Sequence, residues 1–310
     1  GGDLVDTMIM FEEFGKGLVL EPTLSSLVLF AGALELAGSE EQKHHYLPAL
    51  GAGDLTGCLA YIEAGEPTNF NCVATTAQKT DDYYQLNGTK SVVLNAASAD
   101  VLLISARTEG QEADARGISL FLVPRDSDGL SRKDYPTVDG LRASEVLLDK
   151  VRVPASALVG AEGAASETLN AVINRGILAI SAEAVGAMAV LYQSTIDYTK
   201  QRVQFDHPLS EFQVVKHRLT EMFIEYNLAK SLCMKATMLL NQNSGDAQRH
   251  IHALKFLIGK TSRFVGQNAV QLHGGMGMTE DLAIAHYFKR LMMIDATFGH
   301  TDIHLDAFVQ

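Results

Sequence analysis

Tryptophan is absent from the 310 residues and cysteine is scarce: Cys58, Cys72 and Cys233 are odd in number, scattered and without CxxC spacing. That pattern excludes a disulfide framework and a structural zinc site, and it fits a reducing compartment, the cytoplasm. Basic residues are outnumbered, 25 Lys and Arg against 37 Asp and Glu, for a net charge of −12. Such a surface offers little counter-charge to phosphate backbones or anionic lipids, which sets aside nucleic acid as a partner. No uninterrupted apolar run of membrane-span length is expected, and no signal-peptide pattern opens the chain at Gly1. Only seven prolines occur, so long helices can run unbroken.

What is present sorts into three regions. Residues 1–57 read as helical: "LVDTMIMFEEFGKGL" carries apolar residues at helical spacing, and "SEEQKHHYLPAL" opens on Ser39 as an N-cap. Residues 58–158 change to short runs rich in Val, Leu, Ile, Tyr and Thr, such as "VLLISART" and "ISLFLVP". Turn signals at 80–82, at Asn87-Gly88 and at 109–117 separate them, which predicts a β-barrel or sandwich. Residues 159–310 return to long helical segments of a length suited to a bundle. The fold class expected is α+β and multidomain.

Four segments in this order carry a family resemblance: "YYQLNGTKSVVLNAASADVLLISART", "VDGLRASEVLLDKVRVP", "YTKQRVQFDHPLSEFQVVKHRLTEM" and "QLHGGMGMTEDLAIAHYFKR". Together they resemble the acyl-CoA dehydrogenase family along the whole chain. The resemblance implies a partial N-terminal helical domain, a middle β-barrel and a C-terminal four-helix bundle. It also implies FAD between β domain and bundle, with a neighbouring subunit completing the site around the ADP half. The implied reaction is α,β-desaturation of an acyl-CoA thioester: a carboxylate removes the α-proton and the β-hydrogen leaves as hydride to flavin N5. Electron-transfer flavoprotein or a similar acceptor would take the electrons.

Carried over position by position, Arg202, Phe205, Gln213, Gln271, Gly274, Gly275 and Gly277 match the family's pyrophosphate and adenosine contacts. A guanidinium suits phosphate oxygens, and glycines let backbone N–H groups approach them. Taken alone, "GGMG" is a tight turn as readily as a phosphate cradle. Asp206 departs from the pattern, since the family usually has Gly there. The flavin-ring segments are eroded. Ile62-Glu63-Ala64-Gly65 with Thr68 and Asn69 replaces a Thr-Glu-Pro-Gly run, and Val92-Val93-Leu94 replaces Trp-Ile-Thr. Leu94 cannot donate the hydroxyl bond to N5, which leaves backbone groups near Ile62 and Val93. These strands can also be read as plain barrel core.

The family's base is a Glu in Tyr-Glu-Gly-Thr, and here Thr297-Phe298-Gly299-His300 puts Phe298 in its place. The alternative family position, on the first bundle helix, falls on Asn174 or Gly176; Glu183, two turns on, reads as a structural residue. The remaining cluster of His300, Asp302 and His304 admits three readings: a metal site, a base on His300 or Asp302, or a helix start capped by Thr301 or Asp302. Metal is the least supported, because Asp302 points away from a face shared by the two histidines. An ADP half kept beside an eroded base resembles the small subunits of heteromeric bacterial members, such as that of pimeloyl-CoA dehydrogenase. The leading expectation is therefore a subunit working with a second acyl-CoA dehydrogenase chain. Its rivals are a competent homo-oligomer using His300 or Asp302, a flavin-dependent monooxygenase on the same fold, and a structural partner without flavin.

Overall fold

The structure, a computed structural model, describes residues 2–65 and 69–310. Two compact units emerge, Leu20–Gly176 and a second formed by Gly1–Val19 with Ile177–Gln310.

In the first unit a π-helical run, Leu24–Phe30, leads into α2 (Ala31–Ala37) and α3 (Glu40–Ala52). Ser39 caps α3 as its position predicts: its hydroxyl accepts from the Gln42 N–H, and the Gln42 side chain accepts from the Ser39 N–H. One eight-stranded sheet follows, made of β1 (Gly57–Ala60), β2 (Thr76–Lys79), β3 (Tyr83–Leu94), β4 (Val101–Arg107), β5 (Ile118–Pro124), β6 (Leu130–Pro136), β7 (Arg142–Pro154) and β8 (Leu158–Val159). Its hydrogen-bonded path runs β6-β7-β3-β2-β4-β5-β8, with β1 parallel to β4. The β4 residues are all buried, so this strand reads as an apolar run rather than an alternation. Tyr84, Leu86, Leu102, Ile104 and Phe121 fill the core.

The sheet corrects one expectation. Asn87-Gly88 is not a hairpin turn but lies within β3, at a register shift between Leu86 and Gly88. Gly88 has φ +151° and sits against Thr75, and the Asn87 side chain accepts from the Lys150 N–H at 2.9 Å. An Asn-Gly pair serves a bulge as well as a turn, and the cross-strand partner decides between them.

The second unit is helical: α1 (Leu4–Gly17), the greater part of α4 (Ala165–Gln201), α5 (Gln213–Asn241), α6 (Ala247–His273), α7 (Ala283–Ala296) and α8 (Thr301–Val309). Between α4 and α5 lies a small hairpin of β9 (Val203–Gln204) and β10 (His207–Pro208). α1 is tied to the bundle by Glu12–Lys230 at 2.7 Å and by the Tyr287 hydroxyl donating to the Lys16 carbonyl at 2.5 Å. Against the criterion for a membrane span α4 is long and apolar, although Arg175 and Glu183 interrupt its apolar run. By length and composition it passes, with mean hydropathy 1.4 over an 18-residue window, yet 78% of that window is buried within the protein. It is a core helix.

Arg107 organises the irregular part of the first unit. It is buried, and its guanidinium donates to the carbonyls of Asn71, Val73, Glu112, Asp114 and Arg116 at 2.7–3.1 Å. The loops at 69–73 and 109–116 therefore share one cation. Arg107→Leu strands these carbonyls, and a loss of about 3 kcal/mol is expected in chemical denaturation. Arg107→Lys recovers little of it, since an ammonium cannot reach the same fan of acceptors.

Candidate functional site

The residues expected to hold the ADP half gather at one end of the bundle. The Tyr198 ring stacks on His273 at 4.3 Å between centroids, which ties the end of α4 to the end of α6. Arg202 follows α4 and is exposed, with no ion pair among the described residues. Phe205 and Asp206 are consecutive left-handed residues, φ 54° and 61°, and form the two-residue loop between β9 and β10. This accounts for the Gly the family has at position 206, and Asp is among the few residues that tolerate the conformation. Phe205 is 85% exposed on that loop. Gln213 starts α5 and is exposed, as is Gln271, whose carbonyl accepts from the Gly274 N–H.

The glycines differ in what demands them. A Cβ on Gly277 would meet the Val270 carbonyl at 2.6 Å, so its own chain requires it. A Cβ on Gly275 would meet nothing within 4 Å. Open backbone at Gly275 and an exposed guanidinium at Arg202 are each groups that suit a pyrophosphate, and this end of the bundle fits the ADP half of FAD.

The flavin-ring candidates lie in the first unit. Ile62 is half-buried, and its carbonyl accepts from the Ser91 N–H at 2.8 Å. Thr68 lies outside the described residues. β3 carries a second register shift between Lys90 and Val93, where Val92 has φ 51° and stands 42% exposed. Left-handed φ is strained for a β-branched residue, and such strain collects at ligand sites. Val93 turns inward and is buried, while Leu94 is half-buried opposite Ala143. Asn95 Nδ2 is buried with no hydrogen-bond partner among the described residues. An exposed apolar residue beside an orphaned donor fits an aromatic ring with acceptors at its edge.

Two features were missed in the sequence. Glu63 and Lys90 form a buried ion pair at 2.5 Å, and burial pushes the Lys90 ammonium down to about 8 against the pull of Glu63. Lys255, also fully buried, donates to the carbonyls of Asp295 and Gly299 at 2.8 and 2.7 Å. The signal was there: Leu254, Lys255, Ile258 and Ser262 share the buried face of α6, so Lys255 is a charge at a core position.

At the turn after α7, Phe298 is buried with φ 62° and is followed by Gly299 at φ 97°. The expectation that Thr301 or Asp302 caps α8 is corrected. His300 is the N-cap with extended backbone, and the Thr301 hydroxyl donates to Asp295 at 2.8 Å. His300 therefore lies outside the helix and does not share a face with His304. The side chains of His300 and Asp302 are 57% and 85% exposed and 4.0 Å apart. Glu183 is buried and forked onto Arg290, with bonds of 2.5 and 2.8 Å. Arg175, next to Asn174, holds Glu35 at 2.7 Å. Among the described residues no group of three or more His, Cys, Asp or Glu forms a metal cluster.

His304 points inward instead. Its Nε2 donates to the Phe298 carbonyl at 2.9 Å, which leaves Nδ1 to accept from His252 Nδ1 at 3.0 Å. His252 Nε2 then accepts from the Gln248 amide at 2.9 Å. This chain requires both rings neutral. Burial, helped by the nearby Lys255 charge, holds His304 down at about 4 against its bond to Phe298, and burial lowers His252.

The family descriptions for the acyl-CoA dehydrogenase N-terminal, middle and C-terminal domains match residues 1–54, 58–151 and 155–310. This chain belongs to the acyl-CoA dehydrogenase family. Probable acyl-CoA dehydrogenase YngJ of Bacillus subtilis (strain 168) is 30% identical over 309 residues, 98% of this chain and 81% of its own. Butyryl-CoA dehydrogenase of Megasphaera elsdenii shares the fold with a TM-score of 0.93 at 25% identity, over 100% of this chain and 82% of that one. The FAD complex of PigA has a TM-score of 0.93 at 28% identity, over 99% and 82%. As a family member this dehydrogenase chain is an FAD-dependent flavoprotein oxidoreductase acting on CH–CH groups.

Both histidines titrate below their ordinary value in the folded dehydrogenase chain, so the folded state favours their neutral forms. The stability this supports is full above about pH 6.5 and is lost as pH falls toward 4. Denaturation midpoints across that window are expected to drop steeply for the native chain. His304→Gln keeps a donor for the Phe298 carbonyl without a titrating ring, and its profile is expected to be flatter. The cradle has its own check, by flavin titration and melting. Gly275→Ala is expected to leave melting unchanged and weaken FAD binding about tenfold, whereas Gly277→Ala lowers the melting temperature itself.

Proposed function

We propose that this chain is a subunit of a heteromeric, FAD-dependent acyl-CoA dehydrogenase, and that the partner subunit supplies the base. The observation that carries this reading is Phe298. It takes the place of the family's Glu, is buried, and has its carbonyl engaged by His304. No acid stands at Asn174 or Gly176, and Glu183 is spent on Arg290.

In this reading Arg202, Gln213, Gln271 and the 274–277 turn bind the ADP half, in part for a neighbouring subunit. Their exposure at one end of the bundle supports a site shared across an interface. Backbone groups near Ile62 and Val93, with Leu94, face the flavin ring, which when bound would accept the hydride from the acyl β-carbon; Thr68, the fourth candidate, lies outside the described residues. The substrate class is an acyl-CoA thioester, the electron acceptor an electron-transfer flavoprotein or a similar protein, and the setting cytoplasmic.

A second reading keeps a base in this chain, a homo-oligomer using His300 or Asp302. It is favoured by the accessibility of both side chains beside a turn that Lys255 and His304 hold rigid. The visible spectrum of the full-length protein, purified alone and then with its co-expressed partner, separates the two on anaerobic addition of a medium-chain acyl-CoA. The half-site reading expects flavin that stays oxidised alone and bleaches in the complex. Bleaching of the lone protein, abolished by His300→Ala or Asp302→Asn, would overturn it in favour of the second.

A further inference from the structure

The Glu63–Lys90 pair lies where the two ring-contacting segments meet. Glu63 directly follows Ile62, and Lys90 precedes the bulge that exposes Val92. The Ser91 N–H donates to the Ile62 carbonyl at 2.8 Å, in register with the ion pair. Lys90 is fully buried and its Nζ also donates to Ser105 Oγ at 2.9 Å, on β4. Glu63 accepts from the N–H groups of Ala74 and Thr75 at 2.8 and 3.1 Å. One ion pair thus joins β3, β4 and both limbs of the 62–75 loop.

A buried ion pair contributes little net stability compared with well-packed apolar residues, since two charges must leave water. What it does strongly is forbid alternatives, because any slip leaves a buried charge alone. β3 needs that restraint. Its inward residues are Tyr84, Leu86 and Lys90, then Val93, so the phase of the strand changes across the bulge. Moving the extra residue ahead of position 90 would turn Lys90 outward and Ser91 inward and leave Glu63 without its cation. With Lys90 tied to Glu63 and Ser105, the extra residue can fall only after position 90.

The geometry points to Glu63 and Lys90 as positioning residues for the flavin: their buried pair locks the β3 bulge in register, so that the Ile62 and Val92–Leu94 segments present one surface to the ring. This rests on the assignment of those segments to the flavin ring. Arg107 holds the far limb of the same loop through the Asn71 and Val73 carbonyls, so the loop is anchored at both ends by buried cations.

The test compares FAD with ADP as probes, on the full-length protein together with its partner subunit. Lys90→Met is the primary variant, because Glu63 keeps its bonds to Ala74 and Thr75 when the ammonium is removed. FAD affinity is expected to fall tenfold or more and ADP affinity to change less than twofold, with faster amide exchange at Ser91. Glu63→Gln on the Lys90→Met background is expected to add little, as for two ends of one device. Parallel loss of FAD and ADP binding, or no loss of either, would overturn the inference. A native protein that takes up no FAD would instead overturn the ring assignment. Ser91 exchange then decides the bulge by itself, and unchanged exchange in Lys90→Met refutes the lock.

Discussion

A cation removed from water must find its acceptors inside the protein, and four buried cations among the described residues impose that constraint on this fold. Lys90, Arg107, Lys255 and Arg290 are all at most 9% exposed. None has solvent to fall back on, so each draws irregular backbone or a carboxylate toward itself. Arg107 gathers the 69–73 and 109–116 loops, Lys255 holds the turn after α7, and Arg290 immobilises Glu183 on α4. Lys90 meets Glu63 at the β3 bulge. Regular structure satisfies its own hydrogen bonds, and these loops do not. Their shape is therefore set by where the buried charges sit, and among the candidates Ile62 and Phe298 lie on those segments.

The two halves of the candidate site differ in how they are built. At the bundle end the groups are exposed and unpaired: Arg202, Phe205 and the open backbone at Gly275. A free guanidinium, an exposed ring and open backbone N–H groups are what a ligand or a neighbouring subunit can engage. The turn at Phe298 is the opposite case. Its carbonyls accept from Lys255 and from the His304–His252 chain, and its aromatic side chain is internal. The position matched to the family's Glu here serves packing.

Much of the fold was legible because it depends on local periodicity. The Ser39 N-cap, the mainly apolar β4 and the long proline-free bundle helices each follow from spacing within a single segment. The Asn87-Gly88 pair was misread as a turn because a bulge and a hairpin ask for the same residues. Only the pairing of β3 with β7 distinguishes them. The histidine cluster was misread for a related reason. Spacing of four implies a shared face only within a helix, and His300 lies just outside α8. The true partner of His304 is His252, 52 residues away in sequence.

The sequence by itself determined the family, the order of helices and strands, and the residue types at each candidate ligand position, since these are properties of segments and motifs. Tertiary structure alone decided which charges are buried and with whom. Glu63 with Lys90, Glu183 with Arg290 and His252 with His304 are contacts between distant elements. Desolvation acts on the assembled interior and not on the chain, so the environment that fixes each group's charge and bonding exists only once the elements have packed.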